Sequence, residues 1–332
     1  MNGKNAIDRN EPLYLGVDGG QSHTEALVAD ARGRILGRGL GGASNHAEQP
    51  GGRERLRTAV LTSVAEALGL DRAALACIPR EFAAAHCGMT GGAIYKEEII
   101  AEILTARCLS VGHDAPTALR GATAGRPGIV VIAGTGSVVY GENAAGEAAR
   151  ASGLGYLFSD EGSGFWLAAE TMRLAVKEQD GVIAPAGLVP LVLSFFAARE
   201  LREVTDAFYN EKLGRDRFAQ LARRAADAAA GGNQTLGAAI EKGAAALVEN
   251  VAAVAGRLRF AESFAVAGVG GMFGGALLRE NFARRLAETL PAAVFTAPRF
   301  GPAVGALIVA YRRSGVEISA DLLENLEKTQ IK

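Results

Sequence analysis

Apolar residues fall along this chain in two patterns: short dense runs, and longer stretches at helical spacing. The first run, 13–18, carries Tyr14, Leu15 and Val17 and predicts a buried strand. After "DGGQSHT" a second run over 24–29 predicts its partner, "DARGR" (30–34) a glycine-containing turn, and "ILGRGL" (35–40) a third strand. In 53–68 the period changes: Leu56, Val60, Leu61, Val64 and Leu68 share one helical face. "EFAAAHCGMTGG" predicts a strand entering a glycine-rich loop, "IYKEEIIAEILTAR" another helix, and "CLSV" a strand that gives way to a helix at Asp114. At 128–147, "GIVVIAGTGSVVYGENAAGE", the opening pattern returns as strand, glycine turn with hydroxyls, strand and turn. Two such units in one chain suggest an internal duplication of a β-hairpin-led α/β domain, each opening a mixed sheet flanked by helices.

From about residue 165 helical spacing dominates, in "FWLAAETMRLAVKEQDG", "DRFAQLARRAADAAAGG" and "LGAAIEKGAAALVENVAAVAGRL". A short strand "SFAVAG" then leads through "VGGMFGG" into a helix. "AAVFTAP" is a last strand, and helix 302–313 starts at Pro302, a residue suited to a first helical position. A short helix fits the tail beyond 315.

The chain has 332 residues, more than one core usually serves. The expected division is an N-terminal domain over 1–118 and a larger C-terminal domain over 119–332 that includes the helical stretch. Charge narrows the partners: 35 basic against 36 acidic residues, with no dense basic patch, give no general attraction to nucleic acid. The start, "MNGKNAIDRNEP", has no apolar core and does not read as a secretory signal. "GLVPLVLSFFAA" is too short, and broken by Pro190, for the roughly 20 apolar residues of a membrane span. Three cysteines without a CxxC pair suit a reducing cytoplasm, and no two histidines have metal-ligand spacing.

The candidate chemistry sits where strands meet glycines. In "DGGQSHT", Gly19 and Gly20 let backbone approach a ligand, exposed amides at such a turn attract anions, and Gln21, Ser22 and Thr24 add polar side chains. Asp18, ending a buried strand, is costly to desolvate unless paired or holding a cation. A phosphate with Mg²⁺ satisfies all of these; an ordinary hairpin with an exposed Asp fits equally well. "AGTGS" repeats the device with Gly134, Thr135, Gly136 and Ser137, and two facing turns of this kind can grip a polyphosphate. Gly268, Gly270 and Gly271 follow a strand and precede a helix, which suits a nucleotide's ribose and α-phosphate. Asp114 reads as a helix cap or as a general base at a strand's carboxyl end, and Asp160, before a Gly-Ser-Gly, as a cap or a ligand contact. Asn45, in the aperiodic "GGASNHAE", offers the donor and acceptor that sugar hydroxyls need.

Taken in order, "GVDGGQSHTEALVAD", "GGASNHAE", "HDAPTAL", "GIVVIAGTGS", "SDEGSGFW" and "VAGVGGMFGG" resemble the N-acetylglucosamine kinase / BadF–BadG–BcrA–BcrD ATPase family of the actin-like superfamily. The resemblance covers roughly 13–310 and implies two RNase-H-like domains with a cleft between them, ATP and Mg²⁺ as cofactors, and transfer of phosphate to the 6-hydroxyl of N-acetylglucosamine. Glucosamine, N-acetylmuramate, another hexose, or a regulatory ATPase with no sugar substrate remain alternatives. By position, Asp114 resembles the catalytic Asp. Asp18 resembles the metal-side carboxylate, and 19–24 and 134–136 the two phosphate motifs. Gly268, Gly270 and Gly271 resemble the adenosine motif, and Asn45, Ser137 and Asp160 the sugar contacts. Gln21 departs from the family's third loop glycine, and Leu154 from its Gly-Trp-Gly. The cluster-ligating cysteines of the activator branch are missing. A homodimer is the expected assembly.

Overall fold

The computed structural model describes residues 11–45, 47–72, 75–91 and 94–330. The start of the chain, on which the absence of a secretory signal was read, lies largely outside the described residues. The chain divides into two compact units: 1–126 together with 298–332, and 127–297. The expected boundary at 118/119 is thus corrected to 126/127. The expected placing of the last segment is corrected as well, because 298–332 returns to the first unit.

The first unit is built on a sheet of order β3-β2-β1-β4-β5, with β1 Leu13–Gly19, β2 Thr24–Asp30, β3 Ile35–Gly41, β4 Glu81–Met89 and β5 Thr105–His113. Strand β1 runs antiparallel to β2 and parallel to β4, β2 antiparallel to β3, and β4 parallel to β5. Alternation along β1 sends Leu13, Leu15 and Val17 into a core with Leu56, Val60 and Val64 of helix α1 (Gly52–Ala67) and Ile99 and Ile100 of α2 (Ile94–Ala101). Tyr14 points to the opposite face. There it meets Val304, Leu307 and Tyr311 of α11 (Pro302–Arg313), with Leu322 and Leu326 of α12 (Ala320–Thr329) beyond. The buried Tyr311 hydroxyl donates to the Asp30 carbonyl at 2.6 Å, tying the returning segment to β2. Helix α11 begins at Pro302, as expected.

The helix expected over 94–107 ends at Ala101. Thr105–His113 pairs residue by residue with β4, and these ladder bonds outweigh the local helical spacing.

From Gly37 to Gly41 glycine falls at every second position of β3, so over that span one face of the strand carries no side chains. Helix α1 lies directly on it. An added Cβ at Gly37, Gly39 or Gly41 would stand 1.8, 2.0 or 2.1 Å from the carbonyl oxygen of Ala67, Ser63 or Ala59, which are one helical turn apart. Because the obstacle is helix backbone, Gly39→Ala is expected to lower stability by about 1–3 kcal/mol. Denaturant midpoints measure this, with Gly42→Ala, where nothing lies within 4 Å, expected to show little change.

The second unit repeats the plan. Its sheet has the order β8-β7-β6-β9-β10, with β6 Gly128–Ala133, β7 Ser137–Glu142, β8 Ala148–Ser152, β9 Phe264–Val269 and β10 Ala293–Thr296. Strand directions match the first unit pair for pair. The duplication read from the sequence therefore holds at the level of topology. Ile129, Val131 and Val139 pack against Leu247, Val251 and Val254 of α9 (Gln234–Leu258). Between β8 and β9 the chain also forms α4 (Gly164–Gln179), α5 (Leu188–Phe196), α6 (Leu201–Tyr209), α7 (Arg215–Ala219) and α8 (Leu221–Ala230). Helix α10 (Ala276–Thr289) precedes β10. Strand β8 was not expected, and the helix expected over 216–232 is two helices meeting at Gln220. Among the described residues no helix is long and apolar enough to cross a membrane.

Candidate functional site

In the first unit the carboxyl ends of β1, β4 and β5 lie side by side, since Asp18 is in register with Gly88 and Met89 with His113. Ligands of open α/β sheets gather at such ends. Four residues, 20–23, connect β1 to β2. The Gly20 amide donates to the His23 carbonyl at 2.9 Å, and the Ser44 amide to the Gly20 carbonyl at 3.1 Å. Gln21 is partly exposed, and Ser22 and His23 are exposed. Thr24 differs from expectation: it is fully buried and its hydroxyl donates to the Gly42 carbonyl at 2.8 Å, so it braces the loop instead of facing a ligand.

Asp18 keeps part of its surface open, yet enough protein surrounds the carboxyl to push it up to about 7. Burial is the main cause, followed by the charges of Asp114 and Glu25. Asp114 is the first residue of α3 (Asp114–Ala122); the capping position is His113, so Asp114 is not the N-cap. Its Oδ2 accepts a hydrogen bond from the Thr90 hydroxyl at 2.6 Å. Thr90 is itself held from two sides. Its amide donates to the Gly19 carbonyl at 2.9 Å, and its carbonyl accepts from Lys96 Nζ, which also donates to the Gly91 carbonyl at 2.6 Å. Lys96 is only 2% exposed. Burial pulls its ammonium down, while Glu48 and Asp114 act in the opposite direction. Asn45 stands in the loop after β3, where its carbonyl accepts from Arg55 at 2.8 Å.

Two carboxylates at the ends of β1 and β5, on either side of β4, one of them resisting ionisation, form an oxygen donor set that favours a hard cation. Among the described residues no cluster of three or more His, Cys, Asp or Glu side chains forms a closed cage. A cation at Asp18 would complete its shell with water and phosphate oxygens, as Mg²⁺ does.

In the second unit the turn 134–136 joins β6 to β7 and closes through the Gly134 amide on the Gly136 carbonyl at 2.9 Å. Its carbonyls are occupied by the start of α4: Gly164 donates to Gly134 at 2.7 Å and Phe165 to Thr135 at 3.1 Å. Ser137 is buried and donates to the Glu161 carbonyl at 2.8 Å. Asp160 is 3% exposed and adopts φ 70°, a left-handed conformation that costs a non-glycine residue roughly 1–2 kcal/mol. It is not the cap of α4; Ser163 is, accepting from Trp166. Asp160 is fixed instead by its amide on Ser152 Oγ at 3.1 Å and by its side chain on Ser159 and Arg215. Gly270 (φ 99°) touches the end of β6: an added Cβ would stand 2.4 Å from the Ala133 carbonyl. Gly268 lies under the Phe273 ring, and Gly271 opens a short 3₁₀ turn with free space around it.

Thr90, Lys96 and Arg215 were not singled out in the sequence. A signal existed for Thr90, since "MTGG" follows an apolar strand just as the other glycine turns do. Lys96 and Arg215 carried none.

A sheet of three antiparallel and two parallel strands, made twice, each time with a glycine turn after the first strand, defines an actin-like ATPase fold. The chain belongs to the BadF/BadG/BcrA/BcrD ATPase family, whose profile matches residues 15–310. It is 28% identical over 214 residues to the N-acetylmuramic acid/N-acetylglucosamine kinase of Clostridium acetobutylicum, covering 63% of this chain and 68% of that one. It is 24% identical over 319 residues to the N-acetyl-D-glucosamine kinase of Dictyostelium discoideum, covering 91% and 98%. A crystal structure from Chromobacterium violaceum, provisionally named an N-acetylglucosamine kinase, superposes with a TM-score of 0.73 at 27% identity, covering 90% and 99%.

Proposed function

We propose that this protein is an ATP-dependent sugar kinase that phosphorylates an amino sugar, and that its preferred acceptor is the 6-hydroxyl of N-acetylglucosamine. The observation that carries the reading is the Asp114 carboxylate, oriented by the Thr90 hydroxyl at 2.6 Å and standing at the ligand-binding end of the sheet. Asp114 takes the proton of the sugar hydroxyl; the oxygen bonds to the γ-phosphorus as the bridge to the β-phosphate breaks, and ADP leaves. Such transfer depends on alignment and charge neutralisation more than on covalent assistance by the protein. The Gly19–Ser22 loop and the Gly134–Gly136 turn are the proposed phosphate contacts, Gly268, Gly270 and Gly271 the adenosine contacts, and Asn45, Ser137 and Asp160 the sugar contacts. Mg²⁺ at Asp18 would neutralise phosphate charge. The names of the relatives in Clostridium and Dictyostelium support the amino-sugar class.

Coupled ADP release over N-acetylglucosamine, glucosamine, N-acetylmuramate and glucose tests this. N-acetylglucosamine is expected to give the highest kcat/KM, and ADP release without sugar to stay below about a tenth of the stimulated rate, since a kinase site is completed by its acceptor. Equal ADP release with and without every sugar would refute the kinase reading.

A further inference from the structure

Arg215 is the first residue of α7 and reaches the glycine turn of the second unit. Its guanidinium carbon lies 5.0 Å from the Tyr156 ring centre and 5.8 Å from that of Phe165, so two aromatic faces restrict its plane. An added Cβ on Gly136 would stand 2.7 Å from Asp160 Oδ2 and 3.3 Å from Arg215 Nη2, which puts the guanidinium against the turn. Its hydrogen bond to Asp160 is 3.4 Å long, well beyond the 2.7–2.9 Å usual for a charged pair. Its Nε is buried and has no partner. A fork of five donors is thus held rigidly with one long bond made and a quarter of the side chain exposed. Had the residue served only to neutralise Asp160, a closer or bidentate pair would be expected.

We infer that Arg215 is an oxyanion-binding residue of the Gly134–Gly136 turn, taking a phosphate of ATP or a carboxylate carried by the sugar. Both are the flat or fork-matched acceptors that a guanidinium recognises. The inference deepens the kinase reading and rests on it for the choice of ligands.

Three proteins decide it: the natural chain, Arg215→Gln and Arg215→Lys. Calorimetric titration with Mg·ATP is paired with initial rates on N-acetylglucosamine, which is neutral, and N-acetylmuramate, which carries a carboxylate. Arg215→Gln is expected to weaken one anionic ligand by about 10–100-fold, the usual worth of a charged hydrogen bond. Arg215→Lys should recover part of that loss. A loss in ATP affinity assigns the oxyanion to phosphate; a loss confined to the KM for N-acetylmuramate assigns it to the sugar. Unchanged ATP affinity and unchanged KM for both sugars would overturn the inference, as would a lowered melting temperature with unaltered constants. If Arg215→Gln does not fold, Arg215→Lys decides alone: constants equal to those of the natural chain refute the inference. Failure of the natural chain to phosphorylate any amino sugar would refute the kinase reading, while the ATP titration would still decide the role of Arg215.

Discussion

Asp114→Asn is expected to fold normally and to lose turnover by about 10²–10⁴, the usual contribution of a general base. Asparagine has nearly the same shape, and its carbonyl oxygen can still accept the Thr90 hydroxyl now 2.6 Å from Asp114 Oδ2. What it lacks is an oxygen basic enough to take a proton. The expected pattern is therefore a fall in kcat with little change in either KM or the melting temperature. Thr90→Val gives the complementary test. It removes the hydrogen bond that orients the carboxylate, so activity should fall about tenfold. Near-normal sugar phosphorylation by Asp114→Asn would remove the proposed base.

Asp18→Asn is expected to abolish most activity and at the same time to stabilise the metal-free protein at neutral pH. The Asp18 carboxyl is pushed up to about 7 from an ordinary 3.8. A carboxyl raised in this way favours the folded state while protonated, below 3.8, and that contribution is lost as pH rises toward 7. Asparagine has no proton to lose. The unfolding free energy of the variant relative to the natural chain, read from denaturant curves, should thus climb between pH 4 and 7 and level off above it, by an amount bounded near roughly 4 kcal/mol. Mg²⁺ should narrow the gap, because a bound cation favours the ionised carboxylate and stabilises only the natural chain. A pH-independent difference between the two proteins would contradict the burial argument.

The parts of the fold legible in the sequence were those where local pattern and tertiary demand agree. Dense apolar runs gave β1, β2 and β6, and Pro302 marked the start of α11. The "CLSV" part of β5 was read as a strand, but its start was hidden because Ile103 and Leu104 continue the helical spacing of α2, and pairing with β4 overrides it. Strand β8 sits at a sheet edge with only Ala151 buried, so it has little apolar pattern to show. At the site, Asp18, Asp114 and the glycine turns were visible because each breaks a rule of its element: a carboxylate ending a buried strand, or glycines where a strand should continue. Lys96 breaks no visible rule. Among the glutamates of α2 it looks like helix surface, and only the fold turns it toward the Thr90 carbonyl. Arg215 likewise gains meaning only when residues 55 positions apart come together.

The late return of 298–332 also sets a timetable for biosynthesis. The face of the first sheet bearing Tyr14, Leu27 and Ala29 waits for Val304, Leu307 and Tyr311, which are made only after the whole of the second unit. The uninterrupted 127–297 stretch is complete earlier and can condense while the opening strands still await their cover. A nascent chain arrested before residue 298 would therefore display an uncovered apolar sheet, a natural substrate for chaperones.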